Sequence, residues 1–322
     1  MLSAKQAPIA ITCGDPCGIG PEIILKAIQK EPALAESCII VGHQQSLARS
    51  ARALGIDLDK LNISIAPVAG DISTSELAFG TSCAAGGEVA YQAVLKAVDM
   101  IIANKASAIV TAPLTKQALH LAGHNYPGHT ELFAELAGTV PVRMMLANDE
   151  LRTVLVSIHV SLREALNAVT EQNVFQTIQI TYTGLQKLGI QNPRIAVAGL
   201  NPHAGESGAF GSEEINIISP AIERAISQGI DASGPFPPDT IFMRARGFKH
   251  FDVVIAMYHD QGLIPVKYLG IEHGVNVTLG LPFVRTSPDH GTALDIAGKG
   301  LADCTSLLSA IKFARHATAQ RP

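Results

Sequence analysis

The sequence predicts an α/β fold with a largely parallel sheet, on three observations. Short β-branched runs alternate with helix-length amphipathic segments along the 322 residues, the pattern of strands joined by crossover helices. Several of those runs are apolar throughout and lack alternation, as strands covered on both faces are. Apolar residues make up 47% of the chain and charged residues 16%, which supplies a large core and excludes disorder. The length suits roughly two domains at ~150 residues each. With no Pro/Gly/Ser linker between them, two domains sharing one sheet are expected.

The elements follow in order. Pro8–Cys13 is the first strand, and Gly14–Glu22 (GDPCGIGPE) turns it into the helix Pro21–Lys30, Pro21 suiting the first helical turn. Cys38–Gly42 and Asn62–Ala66 read as strands, and Gly86–Ala103 as a long amphipathic helix. Ser107–Ala112, Val142–Ala147 and Thr153–Ile158 are strands, with a helical run Leu132–Ala137 before the second of them. Helix Val174–Leu188, strand Arg194–Gly199 and helix Glu213–Gln228 come next, then strands Asp252–Met257 and Asn276–Gly280 and the closing helix Leu301–His316.

Composition removes several function classes. Lys plus Arg number 24 and Asp plus Glu 28, a net charge of −4, against the basic face of a nucleic-acid protein. Aromatics are 5% with no Trp, so stacking platforms for bases or sugars are not expected. Five cysteines (Cys13, Cys17, Cys38, Cys83, Cys304) form no CxxC pair and read as reduced thiols, with a redox role at Cys13 or Cys17 beside the glycine-rich turn as the alternative. The N-terminal stretch lacks a signal-peptide pattern and no apolar run nears the ~20 residues of a bilayer span; a soluble, cytoplasmic protein is expected. The Gly14–Glu22 turn has neither the GxGxxG spacing nor the GK-Ser/Thr of a P-loop, and no GxSxG or HExxH occurs.

Histidine carries the most information. His159 follows the strand Thr153–Ile158, His203 lies four residues beyond Gly199, and His259 follows Asp252–Met257 and Tyr258. Ligand sites in open α/β sheets form at the carboxyl ends of strands, and three imidazoles suit a divalent metal with open coordination positions. Each alone equally suits an ordinary loop histidine; three in one topological place favour a shared ligand. Asp260 is placed to orient an imidazole or move protons, or is a solvated loop aspartate. Asp239, in the proline-stiffened loop before Thr240, is an aimed carboxylate or a helix N-cap.

Gly128-His129-Thr130-Glu131 opens a helical run, with Thr130 at the expected N-cap and His129 beside it, a plausible anion cradle or an ordinary cap. Lys267 after Gly262–Pro265, Asn276 opening a strand and Arg285 after Gly280–Val284 stand at successive loop or strand boundaries, where they could hold a phosphate or carboxylate.

Taken together, GDPCGIGPE (Gly14–Glu22), TAPLTK (Thr111–Lys116), YPGHTE (Tyr126–Glu131), GLNPHAGE (Gly199–Glu206), PPDTIF (Pro237–Phe242), AMYHDQGLIPVK (Ala256–Lys267) and VNVTLGLPFVRTSPDHGTALDIAG (Val275–Gly298) resemble the 4-hydroxythreonine-4-phosphate dehydrogenase family of vitamin B6 biosynthesis. Cys17 stands where the family usually has Ala. The resemblance implies an isopropylmalate-dehydrogenase-like fold of two α/β/α subdomains, residues 1–130 with 276–322 and residues 131–275, and a homodimer with its active site shared in the interdomain cleft. It implies a divalent metal (Zn, Mg or Co) on His159, His203 and His259, drawn from both subunits. His129, Thr130, Lys267, Asn276 and Arg285 match the family's contacts to a small phosphorylated substrate, and Asp239 and Asp260 its site aspartates. The implied reaction is oxidation of 4-phosphooxy-L-threonine by NAD or NADP followed by loss of CO₂. Alternatives are a dehydrogenase of D-threonate or erythronate 4-phosphate or of a cis-dihydrodiol, or a metal-dependent hydrolase. His290 is given no role, and His43, His120, His124, His250, His273 and His316 are ordinary.

Overall fold

The computed structural model describes residues 7–68 and 72–319. Its strands are β1 (Ile9–Thr12), β2 (Cys38–Gly42), β3 (Ser64–Pro67), β4 (Ala108–Thr111), β5 (Arg143–Ala147), β6 (Arg152–Leu155), β7 (Ile195–Ala198), β8 (Ala232–Phe236), β9 (Val253–Ala256), β10 (Val275–Leu279) and β11 (Val284–Pro288). The α/β class is borne out, and nine of these strands fall on the segments expected; β8 and β11 were not foreseen. The chain divides into two compact units, one of residues up to Val140 with Leu281–Ala319, the other Pro141–Gly280.

In the first unit the strand order is β3-β2-β1-β4-β11, and every pairing is parallel. β1 and β4 are buried at every position, which explains their unbroken apolar sequences. Helices Gly20–Lys30, Ala84–Ile102 and Thr305–Ala319 supply the crossovers and flanks. Gly14, at the carboxyl end of β1, has φ +64°, and a Cβ there would lie 2.1 Å from the Pro113 carbonyl oxygen. Only glycine lets that turn pass under β4.

In the second unit the order is β10-β5-β6-β9-β7-β8. The sheet is largely parallel, as expected, and departs from that here: β10–β5 and β5–β6 are antiparallel. A short return between Ala147 and Arg152 cannot hold a crossover helix, so the chain reverses instead. The pairs β6–β9, β9–β7 and β7–β8 are parallel. Leu155, Ala196, Ala198, Val254, Ala256 and Leu263 close the core beneath them, each large side chain contributing ~1.5–3 kcal/mol on burial.

Candidate active site

Four neighbouring parallel strands place their carboxyl ends along one edge of the second unit. β6 leads to His159, β9 to His259 and Asp260, β7 to His203, and β8 to Asp239. The strand ends are tied across: Ser157 Oγ donates to the Met257 carbonyl at 2.9 Å, and Gln261 Nε2 donates to the Gly199 carbonyl at 2.8 Å. Gln261 Oε1 also accepts the Met257 N–H at 2.7 Å. These bonds fix the spacing of the histidine-bearing loops.

His159 and His259 lie together, ring centroids 5.7 Å apart. The Nδ1 of His259 and Asp260 Oδ1 are 2.7 Å apart, so Asp260 orients that ring and leaves Nε2 for a ligand. Both histidines border a cavity of about 240 Å³ together with Tyr258 and Asp260. His203 borders a second cavity, of about 680 Å³, with Asp239, Gln261 and the same Tyr258 and Asp260. Among the described residues, no three His, Cys, Asp or Glu side chains are close enough together to hold a metal. Imidazole donors fit a divalent metal in kind, and His259, its Nδ1 held by Asp260, has its other ring nitrogen left for one. The structure brings two of the three expected ligands together and leaves His203 in the neighbouring cavity.

The loop carrying His203 has a backbone of its own. His203, Ala204, Gly205, Glu206 and Ser207 all have left-handed φ, between 42° and 80°, a conformation costing roughly 1–2 kcal/mol for each residue with a side chain. Glu214, only 3% exposed, holds the start of this loop. Its Oε1 accepts the N–H groups of Leu200 and Asn201 at 2.8 and 2.7 Å, and its Oε2 accepts Asn201 Nδ2 at 2.9 Å. A Cβ on Gly205 would stand 2.6 Å from Glu214 Oε2, so the loop closes over the carboxylate. Sequence reasoning missed Glu214 because it lies inside a helical stretch, where a glutamate reads as solvated.

In the first unit, Arg285 is 2% exposed and donates from Nη2 to Thr111 Oγ1 at 2.6 Å. Burial lowers its guanidinium to about 9, with Glu131 opposing the shift. His129 faces Arg285 across Phe133: the imidazole stacks on the Phe133 ring at 6.3 Å, and the guanidinium lies 5.5 Å from the same ring. Burial, then the Arg285 charge, holds His129 well below the usual imidazole range. Its Nε2 is shut off from water and has no hydrogen-bond partner in the structure. A neutral imidazole beside a buried cation is a place for an anion's oxygen.

Two expectations are corrected here. Thr130 is not the helix cap: the helix runs His129–Leu136 and its cap is Gly128, without a side-chain bond. The helix therefore starts two residues earlier than a Thr130 cap would give. Lys267 lies not at a loop boundary but in the last turn of the helix His259–Tyr268, which carries Pro265 inside it. Asn276, second in β10, has a buried Oδ1 without a partner. Asp239 is exposed and is not a cap; Thr240 precedes the helix Ile241–Ala245. The Gly14–Glu22 turn offers no dinucleotide cradle. The N–H groups of Asp15, Gly18 and Ile19 bond to the carbonyls of Pro113, Asp15 and Thr292, and that of Cys17 to Asp15 Oδ1.

Fold and site together define an α/β protein with an imidazole-lined strand edge in one unit and a buried arginine beside a histidine in the other. Residues 34–314 match the family model described as pyridoxal phosphate biosynthetic protein PdxA, and the chain belongs to that family. It is 50% identical to the 4-hydroxythreonine-4-phosphate dehydrogenase of Beijerinckia indica, over 98% of this chain and 96% of that protein. It is 45% identical to the D-threonate 4-phosphate dehydrogenase of Salmonella typhimurium, over 95% of this chain and 97% of that one. The crystal structure of 4-hydroxythreonine-4-phosphate dehydrogenase from Klebsiella pneumoniae superposes with a TM-score of 0.88 at 41% identity, covering 97% of this chain and 99% of that one.

Proposed function

We propose that this chain oxidises the secondary alcohol of 4-phosphooxy-L-threonine to 2-amino-3-oxo-4-phosphooxybutanoate, which then loses CO₂ to give 3-amino-2-oxopropyl phosphate, in the cytoplasmic synthesis of pyridoxal phosphate. The observation that carries the reading is the edge formed by β6, β9, β7 and β8, which collects three imidazoles and two carboxylates in a chain of this family. His159, His203 and His259 would hold a divalent metal (Zn, Mg or Co), with ligands from both subunits of a homodimer. A metal held there would supply Lewis acidity toward the substrate hydroxyl, and NAD⁺ or NADP⁺ would supply the hydride acceptor.

The chain's own groups do the rest. Asp260 Oδ1 fixes the His259 ring. Asp239, exposed at the mouth of the larger cavity, receives the hydroxyl proton at its carboxylate. Arg285 and Lys267 supply positive charge for the phosphate, Arg285 from a dry position where its hydrogen bonds are strongest. His129 stays neutral and donates from one ring nitrogen, with Thr130 and Asn276 completing the polar contacts. Held at the phosphate, the substrate presents its alcohol in one orientation, so remote binding energy is spent on positioning.

The relative that acts on D-threonate 4-phosphate favours a second reading, because the phosphate-holding residues do not distinguish an amino group from a hydroxyl. Both compounds are to be offered to the purified chain with NAD⁺ or NADP⁺ while the absorbance of the reduced nicotinamide is followed. A higher kcat/KM with 4-phosphooxy-L-threonine is expected. A higher value with D-threonate 4-phosphate transfers the assignment, and no reduction with either overturns both. Prior removal of metal with a chelator should lower kcat by at least tenfold, and added divalent metal should restore it.

A further inference from the structure

Five cysteines are present, and two of them meet. Cys17, in the turn after β1, and Cys83, capping the helix Ala84–Ile102, have their sulfurs 3.6 Å apart, about 1.5 Å more than the ~2.05 Å of a disulfide bond. We propose that Cys17 and Cys83 form a reversible oxidation site, closing to an intramolecular disulfide when the chain meets a peroxide.

The two thiols are unequally placed. Cys17 is fully buried, whereas Cys83 is partly exposed. The Cys83 sulfur accepts the N–H of Gly86 at 3.3 Å, at the positive end of a 19-residue helix, the setting that favours a nucleophilic sulfur. Arg49 adds a cation: its guanidinium interacts electrostatically with both thiols, donates to the Pro16 carbonyl at 2.8 Å and lies 3.9 Å over the Phe79 ring. Burial and the neighbouring Asp15 push the Cys17 thiol up, so Cys17 waits as a thiol until a partner sulfur is activated. No side chain from position 86 stands against the two sulfurs, because that residue is glycine. A Cβ there would sit 3.3 Å from the Cys17 sulfur and 3.4 Å from that of Cys83.

The chemistry balances with hydrogen peroxide as oxidant. The Cys83 thiolate attacks one peroxide oxygen, the O–O bond breaks, and hydroxide leaves to take up the proton lost by Cys83, giving water and a sulfenic acid. Cys17 sulfur then attacks the Cys83 sulfur, the S–O bond breaks, and the departing hydroxide leaves as water with the Cys17 proton. Two thiols lose two electrons, and the peroxide gains them. The bond ties the Gly14–Glu22 turn to the start of the helix Ala84–Ile102, and a dithiol reductant reverses it.

The test uses the full chain treated with hydrogen peroxide, digested without reduction and read by mass spectrometry. A Cys17–Cys83 peptide pair, lighter by two hydrogens and separated by dithiothreitol, is the expected product. Cys13, Cys38 and Cys304, all buried, should remain thiols and serve as internal controls. In Cys17→Ala the sulfenic acid at Cys83 should persist and be trapped by dimedone; in Cys83→Ser, Cys17 should stay unmodified. Wild-type chain in which Cys83 goes to sulfinic acid, or bonds to another chain, with no link to Cys17 overturns the proposal.

Discussion

Arg285 is a cation that the fold keeps from water, a costly position that the charge of the proposed phosphate would offset. Its Nη2 is already committed to Thr111 at 2.6 Å, which aims the planar fork. Lysine at this position keeps the charge but neither the fork nor the aim. Arg285→Lys should therefore raise KM for the phosphorylated substrate by roughly 10- to 100-fold, the value of one or two charge-assisted bonds, with a smaller change in kcat. Beside it, His129 gives a pH signature. Its folded-state value lies well below the ordinary 6.5, so below that pH the unfolded chain takes up a proton that the folded chain refuses. The stability involved is full above pH 6.5 and is lost as pH falls towards the folded value. Thermal unfolding at pH 7.5 and 5.5 should show a larger loss for wild type than for His129→Gln, and equal losses would refute the assignment. The identities of His129, Arg285 and Asn276 were legible in the sequence, because unusual polar residues stood at element boundaries. The burial of Arg285 was not, since its neighbours Thr111 and Phe133 lie far from it in the chain.

The loop after β7 shows what an element needs in order to present one side chain. Five successive left-handed residues from His203 to Ser207 would relax without a restraint, and Glu214 is that restraint. Removing its carboxylate leaves the Leu200 and Asn201 N–H groups in a buried place without acceptors. Glu214→Ala should lower the unfolding free energy in urea by about 2–4 kcal/mol. Glu214→Gln, which keeps one acceptor oxygen, should cost less than half as much. An alanine variant as stable as wild type would show that the loop holds itself. Element prediction failed where local rules were locally broken. β8 reads Ala-Ser-Gly-Pro-Phe, with two strand breakers, and forms only because an edge strand tolerates Pro. β11 is buried at all five positions despite Arg, Thr and Ser, its Thr286 hydroxyl donating to the Ala310 carbonyl. The helix His259–Tyr268 contains Pro265, which marks a loop in any reading by composition. By contrast, the strands that carry the histidines were plain, because apolar runs covered on both faces leave no other reading.

At the scale of the whole molecule, the parallel run β6-β9-β7 puts His159, His259 and His203 on one edge, yet one chain brings only two of the rings together. A homodimer whose sites combine histidines from both chains would complete the set, and mixing defective chains decides the point. His159→Ala, His203→Ala and His259→Ala are each expected to be inactive as homodimers. If the three ligands divide two and one between chains, a mixed dimer is productive only when its two lesions lie on opposite sides of that division. One of its two sites then carries both lesions, and the other is intact. Random reassociation makes half of the dimers mixed, so two of the three pairwise mixtures should recover about a quarter of wild-type activity and the third none. The pattern itself names the odd histidine; the proximity of His159 and His259 makes that His203, so the mixtures containing His203→Ala should be the two that recover. If all three ligands came from one chain, every mixture would stay inactive, because each chain in it would carry its own lesion. Activity in all three mixtures would mean that no fixed set of three histidines holds the metal, which would remove the metal site from the mechanism.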